Sequence, residues 1–201
     1  VVLGCGSGTL VNEGSGNPVG LLALPFFAIG SFAGAYHLIW WTGLGTLPPV
    51  VFSGATGLGV TLALLAITAA VILVFAAPGT RRIPGRLWVA AGLVALLAHA
   101  NLAVSSQPWG VVYGLGLWAA KGATALGADL SGSAFWAAPG NVERLSESIF
   151  TDVTSLTNIG IIAGALVIAA WRAGGLSAPL PRLPLRAWLA VILAGFAMGY
   201  A

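Results

Sequence analysis

The sequence predicts an all-α polytopic membrane protein: a helical bundle of apolar spans with short re-entrant helices and loops. Three observations predict it. Of 201 residues, 58% are hydrophobic and 6% are charged, with mean hydropathy +0.98. The apolar residues gather into stretches close to the length of a bilayer. The arginines gather into the loops between those stretches.

The charge content decides the solvent. A water-soluble domain carries about 25% charged residues, and the few present here cannot cover a water-facing surface. The net charge of +3 is no nucleic-acid footprint, because the basic residues sit in short loops and form no phosphate-tracking patch. With one cysteine, Cys5, no internal disulfide and no multi-cysteine zinc site can form. No metal-ligand spacing, Walker loop or dinucleotide fingerprint is present, so no enzyme constellation and no cofactor is expected.

Residues 1–17 are glycine-rich and too short to span. Expected spans cover residues 18–41, 53–77, 87–104 and 149–171, and an incomplete one covers 187–201. Pro25 lies inside the first, where neighbouring helices or waters can satisfy the freed carbonyl. Residues 108–126 are apolar, carry four glycines and hold Lys121, the single lysine. The chain begins at Val1, not Met, and stops at Ala201 inside an apolar run, so it reads as truncated at both ends.

Orientation follows from charge. Arg81, Arg82 and Arg86 share one short loop; Arg172, Arg182 and Arg186 share another. The positive-inside rule puts both in the cytoplasm. Parity then makes 108–126 enter and leave on the outer side, as a re-entrant segment, and puts Asp129 to Asp152 outside. It also places the turn from Asn12 to Asn17 inside and the preceding residues deeper, toward the membrane centre. Irregular backbone survives at that depth only in a protein interior or lining a cavity.

Gly4-Cys5-Gly6-Ser7-Gly8-Thr9 is the most informative stretch. Glycines let the backbone turn tightly and expose successive N–H groups. Such a nest, or a half-helix N-terminus, attracts anions. Cys5 adds a soft S–H donor, and Ser7 and Thr9 add hydroxyls. The set suits a small, soft anion; Cys5 packed as a small hydrophobe among glycines is the other reading. Asn158 and Thr154 line a path, or Thr151 or Asp152 simply caps the helix that follows. His37, His99 and Asn101 fit interhelical or interfacial hydrogen bonds. Lys121 either snorkels or draws anions. Glu13, in the inner turn, reads as solvated. The pairs Gly30/Gly34, Gly110/Gly114 and Gly160/Gly164 read as helix-packing contacts.

The run GCGSGTLVNEGSGN, Gly4 to Asn17, resembles the signature of the YeeE/YedE family of sulfur-transport membrane proteins. QPWG at Gln107 to Gly110 and TDVTSLTNIGIIAGA at Thr151 to Ala165 are similar to the same family, and the likeness covers most of the chain in order. The resemblance implies thiosulfate uptake across a bacterial inner membrane. It also implies two inverted repeats whose short helices and loops plunge to the centre. The path it implies carries cysteines that contact the sulfur anion through S–H hydrogen bonds, and Cys5 matches the first of them. Substrate contacts are therefore expected at Gly4, Cys5, Gly6, Ser7, Gly8, Thr9 and Asn158. Thiosulfate or a similar anion, the lipid bilayer and a cytoplasmic sulfur-carrier protein are the expected partners. The sequence departs from the family in stopping before a second glycine-cysteine motif. Two other functions fit less of the sequence. A membrane thiol enzyme would use Cys5 as a persulfide carrier, which requires a nearby cation or base. A neutral-solute channel would have no use for the thiol.

Overall fold

The computed structural model describes residues 5–45, 47–77, 79, 83–173 and 183–201. Gly4, Arg81, Arg82 and Arg182, named above, lie outside the described residues. The described residues form helices joined by short connections, with no strand among them. In chain order these are α1 Gly6–Gly14, α2 Pro18–Tyr36, α3 Leu38–Gly43, α4 Gly54–Phe75, α5 Gly85–Ser105, α6 Val111–Ala125, α7 Pro139–Ser146, α8 Val153–Ala173 and α9 Leu185–Tyr200. Four of them, α2, α4, α5 and α8, are long and apolar enough to cross a membrane. α1, with 9 residues, and α6, with 15, fall short of the roughly 20 a spanning helix needs.

The chain divides into two compact units, one made of residues 1–44 and 101–201 and the other of residues 45–100. The second holds α4 and most of α5. Neither helix buries a residue. Leucine, isoleucine and valine point outward all round them, the pattern of a helix solvated by lipid or by further helices. The hydroxyls of Thr61 and Thr68 turn back onto the carbonyls of Gly57 and Leu64 at 2.8 Å each. Their polar groups are thus satisfied within their own helix.

The larger unit is organised around α2. Asn17 caps it by accepting from the Val19 N–H at 3.0 Å, and Pro18 opens its first turn, where a missing N–H costs nothing. Backbone approaches backbone along α2 and α9. Side chains at Gly30 and Gly34 would strike the Phe196 and Tyr200 main chain, and side chains at Gly195 and Gly199 would strike that of Ala23 and Phe27. These small residues let the helices touch where lipid offers no hydrophobic drive. Gly160 and Gly164 meet nothing within 4 Å, so the packing expected of them is not seen among the described residues. α2 ends at Tyr36 and the chain bends at His37 into α3. There the His37 ring and the Trp41 indole both meet the Tyr200 hydroxyl, at 3.0 and 3.2 Å.

Two short helices lie along the two halves of α2. Gly6 sits against Phe27, and Glu13 against Gly20, so α1 runs antiparallel to the first half. Val111 and Leu115 share a buried cluster with Phe27 and Ala28, and Gly116 abuts Ser31 and Phe32, so α6 runs parallel to the second half. The N-terminus of α1 therefore meets the N-terminus of α6 beside the midpoint of α2. α8 passes the same junction: Thr154 and Asn158 flank Gly114, and Ile162 and Ala165 flank Gly14.

Candidate functional site

α1 begins where Cys5 takes an extended conformation (φ −63°, ψ 168°) and Gly6 starts the helix. Helix geometry leaves the first N–H groups without intrahelical acceptors. The Cys5 thiol is exposed and lies 3.1 Å from the Ser7 hydroxyl. Thr9 is buried, and both its N–H (3.0 Å) and its hydroxyl (3.3 Å) donate to the Cys5 carbonyl. Those two bonds fix the backbone that carries the thiol. Gly6 is buried because Val111, Val112 and Phe27 crowd its Cα; a Cβ there would lie 3.1 Å from Val112. Gly8 is half-buried and leaves room for the Cys5 sulfur, which a Cβ would meet at 3.8 Å.

α6 supplies the opposing end. Gly110 precedes it, and its carbonyl accepts from the Gly114 N–H at 2.9 Å. Its first carbonyls are taken from the side: Ser31 donates to Val112 at 3.0 Å, and the Asn158 amide donates to Val111 at 3.0 Å. Asn158 is wholly buried, and its Oδ1 has no hydrogen-bond partner. Asn158 and the Cys5–Thr9 stretch, 149 or more positions apart in sequence, thus come together on the first turn of α6. Each helix N-terminus carries about half a positive charge, and two facing one another form a place for an anion. From sequence Gly110 was read only as a packing contact and Val111 had no assigned role; the QPWG run that ends at Gly110 was the available signal.

The same unit holds a polar cluster around Asp152 and Arg144. Asp152 caps α8: it accepts from the Ser155 N–H at 2.7 Å and the Thr154 hydroxyl at 2.5 Å, and it faces Arg144 at 3.5 Å. Burial pushes its carboxyl up, but these donors and the guanidinium outweigh that and hold it below the usual aspartate value. The Arg144 guanidinium also donates to Gln107 at 2.8 Å and stacks 5.3 Å from the Tyr113 ring centre. Gln107, Gly110, Tyr113, Asn141, Arg144 and Thr154 line a cavity of about 450 Å³. Lys121 is engaged by backbone carbonyls. Its ammonium donates to the carbonyls of Arg144, Leu145 and Glu147, so it caps the C-terminus of α7. Asn101, expected as an interhelical partner, accepts a long 3.4 Å bond from Thr157.

Glu13 requires a correction. The sequence placed it in a solvated turn, but α1 continues to Gly14 and turns Glu13 onto its buried face, 4% exposed. Neither carboxyl oxygen has a hydrogen-bond partner. Among the described residues, no three of His, Cys, Asp and Glu gather to hold a metal ion.

A family model described as "Sulphur transport" matches residues 2–201 of the chain. This chain belongs to the sulphur-transport family. The sulphur transporter is a multi-pass membrane protein, with four helices of membrane length among its described residues. Its family makes a sulfur-containing anion the substrate class and transport the activity. No curated protein and no solved structure gives a match to the transporter chain.

Proposed function

We propose that this transporter passes thiosulfate, or a closely related small sulfur anion, inward across a bacterial inner membrane, and that Cys5 contacts the sulfur on the way. The observation that carries the reading is the meeting of α1 and α6, N-terminus to N-terminus, beside Phe27 in the middle of α2. α1 and α6 measure about 14 Å and about 22 Å at 1.5 Å per residue. Laid end to end along a spanning helix, they fit a pair of re-entrant segments that enter from opposite faces and stop near mid-depth. That arrangement agrees with the arginine loops, which put residues 78–86 and 172–186 in the cytoplasm.

A dianion at mid-depth is prohibitively expensive unless donors replace its water. The N–H groups at the start of α1 and α6 are aimed at the junction, and the Asn158 amide lies on its wall. The thiol adds a soft donor suited to a terminal sulfur. The thiol-enzyme alternative is less well supported. It needs a cation or base beside Cys5, and among the described residues no charged group acts on that thiol.

Uptake of labelled thiosulfate by the full-length protein in proteoliposomes tests this reading. Saturable uptake that a large excess of sulfate competes weakly is expected. Uptake no faster than in empty vesicles, or equal passage of an uncharged solute of the same size, would overturn it. A lone cysteine placed at Gly79, in a cysteine-free background, tests the orientation. It is expected to react with an impermeant thiol probe only after the cells are permeabilised.

A further inference from the structure

Glu13 is buried with both carboxyl oxygens lacking a hydrogen-bond partner, the one acidic side chain so placed among the described residues. It occupies the last turn of α1, seven residues and about 10 Å along the axis from Gly6. Its side chain fills the space above Gly20 of α2, where a Cβ would meet its Cγ at 3.1 Å. The next residue, Gly14, presses directly on Ile162 and Ala165 of α8. Glu13 is thus held, 4% exposed, where α1, α2 and α8 come together.

Among the described residues, the elements packed on α1 offer it no counter-charge. α2 carries only Tyr36, at its far end. α8 carries only Arg172, seven residues beyond Ala165. On α6, Tyr113 donates to Asn141 and Lys121 is engaged by the α7 carbonyls. Burial alone acts on the Glu13 carboxyl, lifting it to about 8. Its place at the C-terminal, negative end of α1 disfavours ionisation further.

We propose that Glu13 is a proton-binding site that makes anion binding proton-linked, its carboxyl being neutral whenever an anion occupies the N-terminal end of α1. The proposal rests on the reading of that end as the anion site. Both sites belong to one rigid helix of 9 residues. A dianion at one end repels a carboxylate at the other through a low-dielectric interior, and does not repel a carboxylic acid. An ionised Glu13 also needs water, which it can reach only if α1 parts from α2 and α8. The proton is taken from water as the anion binds and returns to water as the anion leaves; no other group changes charge. Anion occupancy, a neutral Glu13 and tight packing of α1 therefore favour one another, as linkage requires.

Calorimetry on the full-length protein tests this, titrating thiosulfate near pH 8 in two buffers of different ionisation enthalpy. The wild type is expected to take up protons as thiosulfate binds, and to bind about tenfold more weakly as pH rises from about 7 to about 9, a coupling of ordinary size between linked sites. Glu13→Gln is expected to bind thiosulfate with a flat pH profile and without that proton uptake. A Glu13→Gln protein with wild-type proton uptake and pH profile would overturn the proposal. If neither protein binds thiosulfate, the functional reading falls, and thermal stability decides the proton site separately. A carboxyl raised in the folded state stabilises fully below its unfolded value, and that stabilisation is lost as pH rises through about 8. The wild type should then lose stability relative to Glu13→Gln across that window; parallel curves would overturn the site. If Glu13→Gln does not fold, the infrared carbonyl band of a neutral carboxylic acid in the wild type serves instead. A band that titrates near pH 8 supports the site, and its absence above the usual carboxylate range refutes it.

Discussion

α4 and residues 85–100 of α5 bury none of their residues, whereas α2, α6 and α8 enclose Phe27, Leu115, Ser155 and Asn158. Both regions draw on the same apolar residues and glycines. They differ in where their polar groups find partners. In α4, Thr61 and Thr68 bond back to their own helix. In the larger unit Ser31 reaches α6, Asn158 reaches α6 and Trp118 reaches Ser155 at 2.8 Å. A polar side chain satisfied within its own helix tolerates lipid beside it, while one satisfied across helices marks an interior that has been built.

Substitutions in the two regions should differ in cost. The largest effect is expected at Gly114, where a Cβ would lie 2.7 Å from the Asn158 amide and 3.3 Å from Thr154. Gly114→Leu in the full-length protein should abolish folded, monodisperse material on size-exclusion chromatography. Recovery at the wild-type level would show that the junction is not close-packed. Next comes Asn158→Leu, which keeps the volume and removes the amide's bond to the Val111 carbonyl. A hydrogen bond of this kind contributes about 0.5–1.5 kcal/mol, and thiosulfate uptake should fall about tenfold or more at unchanged expression.

A smaller effect is expected from Asp152→Ala, which removes a helix cap worth about 1 kcal/mol. Because the Asp152 carboxyl is held below its ordinary value, its stabilisation is full above the usual aspartate range and fades as pH falls through its lowered value. Wild type and variant should therefore converge in melting temperature in acid and separate toward neutral pH. A constant difference would assign the cost to packing alone. The smallest effect belongs to the other region: Thr61→Val on α4 should change stability by no more than about 0.5 kcal/mol. A larger loss would mean that α4 is not lipid-facing where Thr61 stands.

Much of the fold class was legible because the bilayer leaves few choices. With 6% charged residues, only helices or closed barrels satisfy their backbone in lipid; the long continuous apolar runs select helices, and the glycine-cysteine run was specific enough to carry the family. Legibility ended where a residue's role depends on a distant neighbour. Lys121 looked like a membrane or substrate cation; its partners are carbonyls 23 to 26 residues away. Asp152 could be read as a cap or as an ionisable path residue, and the Ser155 N–H that selects the cap is visible only once the helix start is known. Glu13 sits beside glycines and asparagines that signal a turn, yet α1 runs one turn further and buries it. Nothing local marks the bend at His37, which goes with contacts to Tyr200, 163 residues on. The start of α6 became part of the candidate site only through the packing of Gly6 on Val111 and Val112.

In the proposed function the α1 end of the α1–α6 junction touches the transported anion through Cys5. The most direct test compares thiosulfate uptake by full-length wild type, Cys5→Ser and Cys5→Ala in proteoliposomes, with protein amounts matched. Serine keeps a donor of similar size and loses the softness of sulfur; alanine loses the donor as well. The account predicts strong impairment for Cys5→Ser and no measurable uptake for Cys5→Ala. An alanine variant that transports at the wild-type rate would contradict it and leave Cys5 as a small residue that only opens α1.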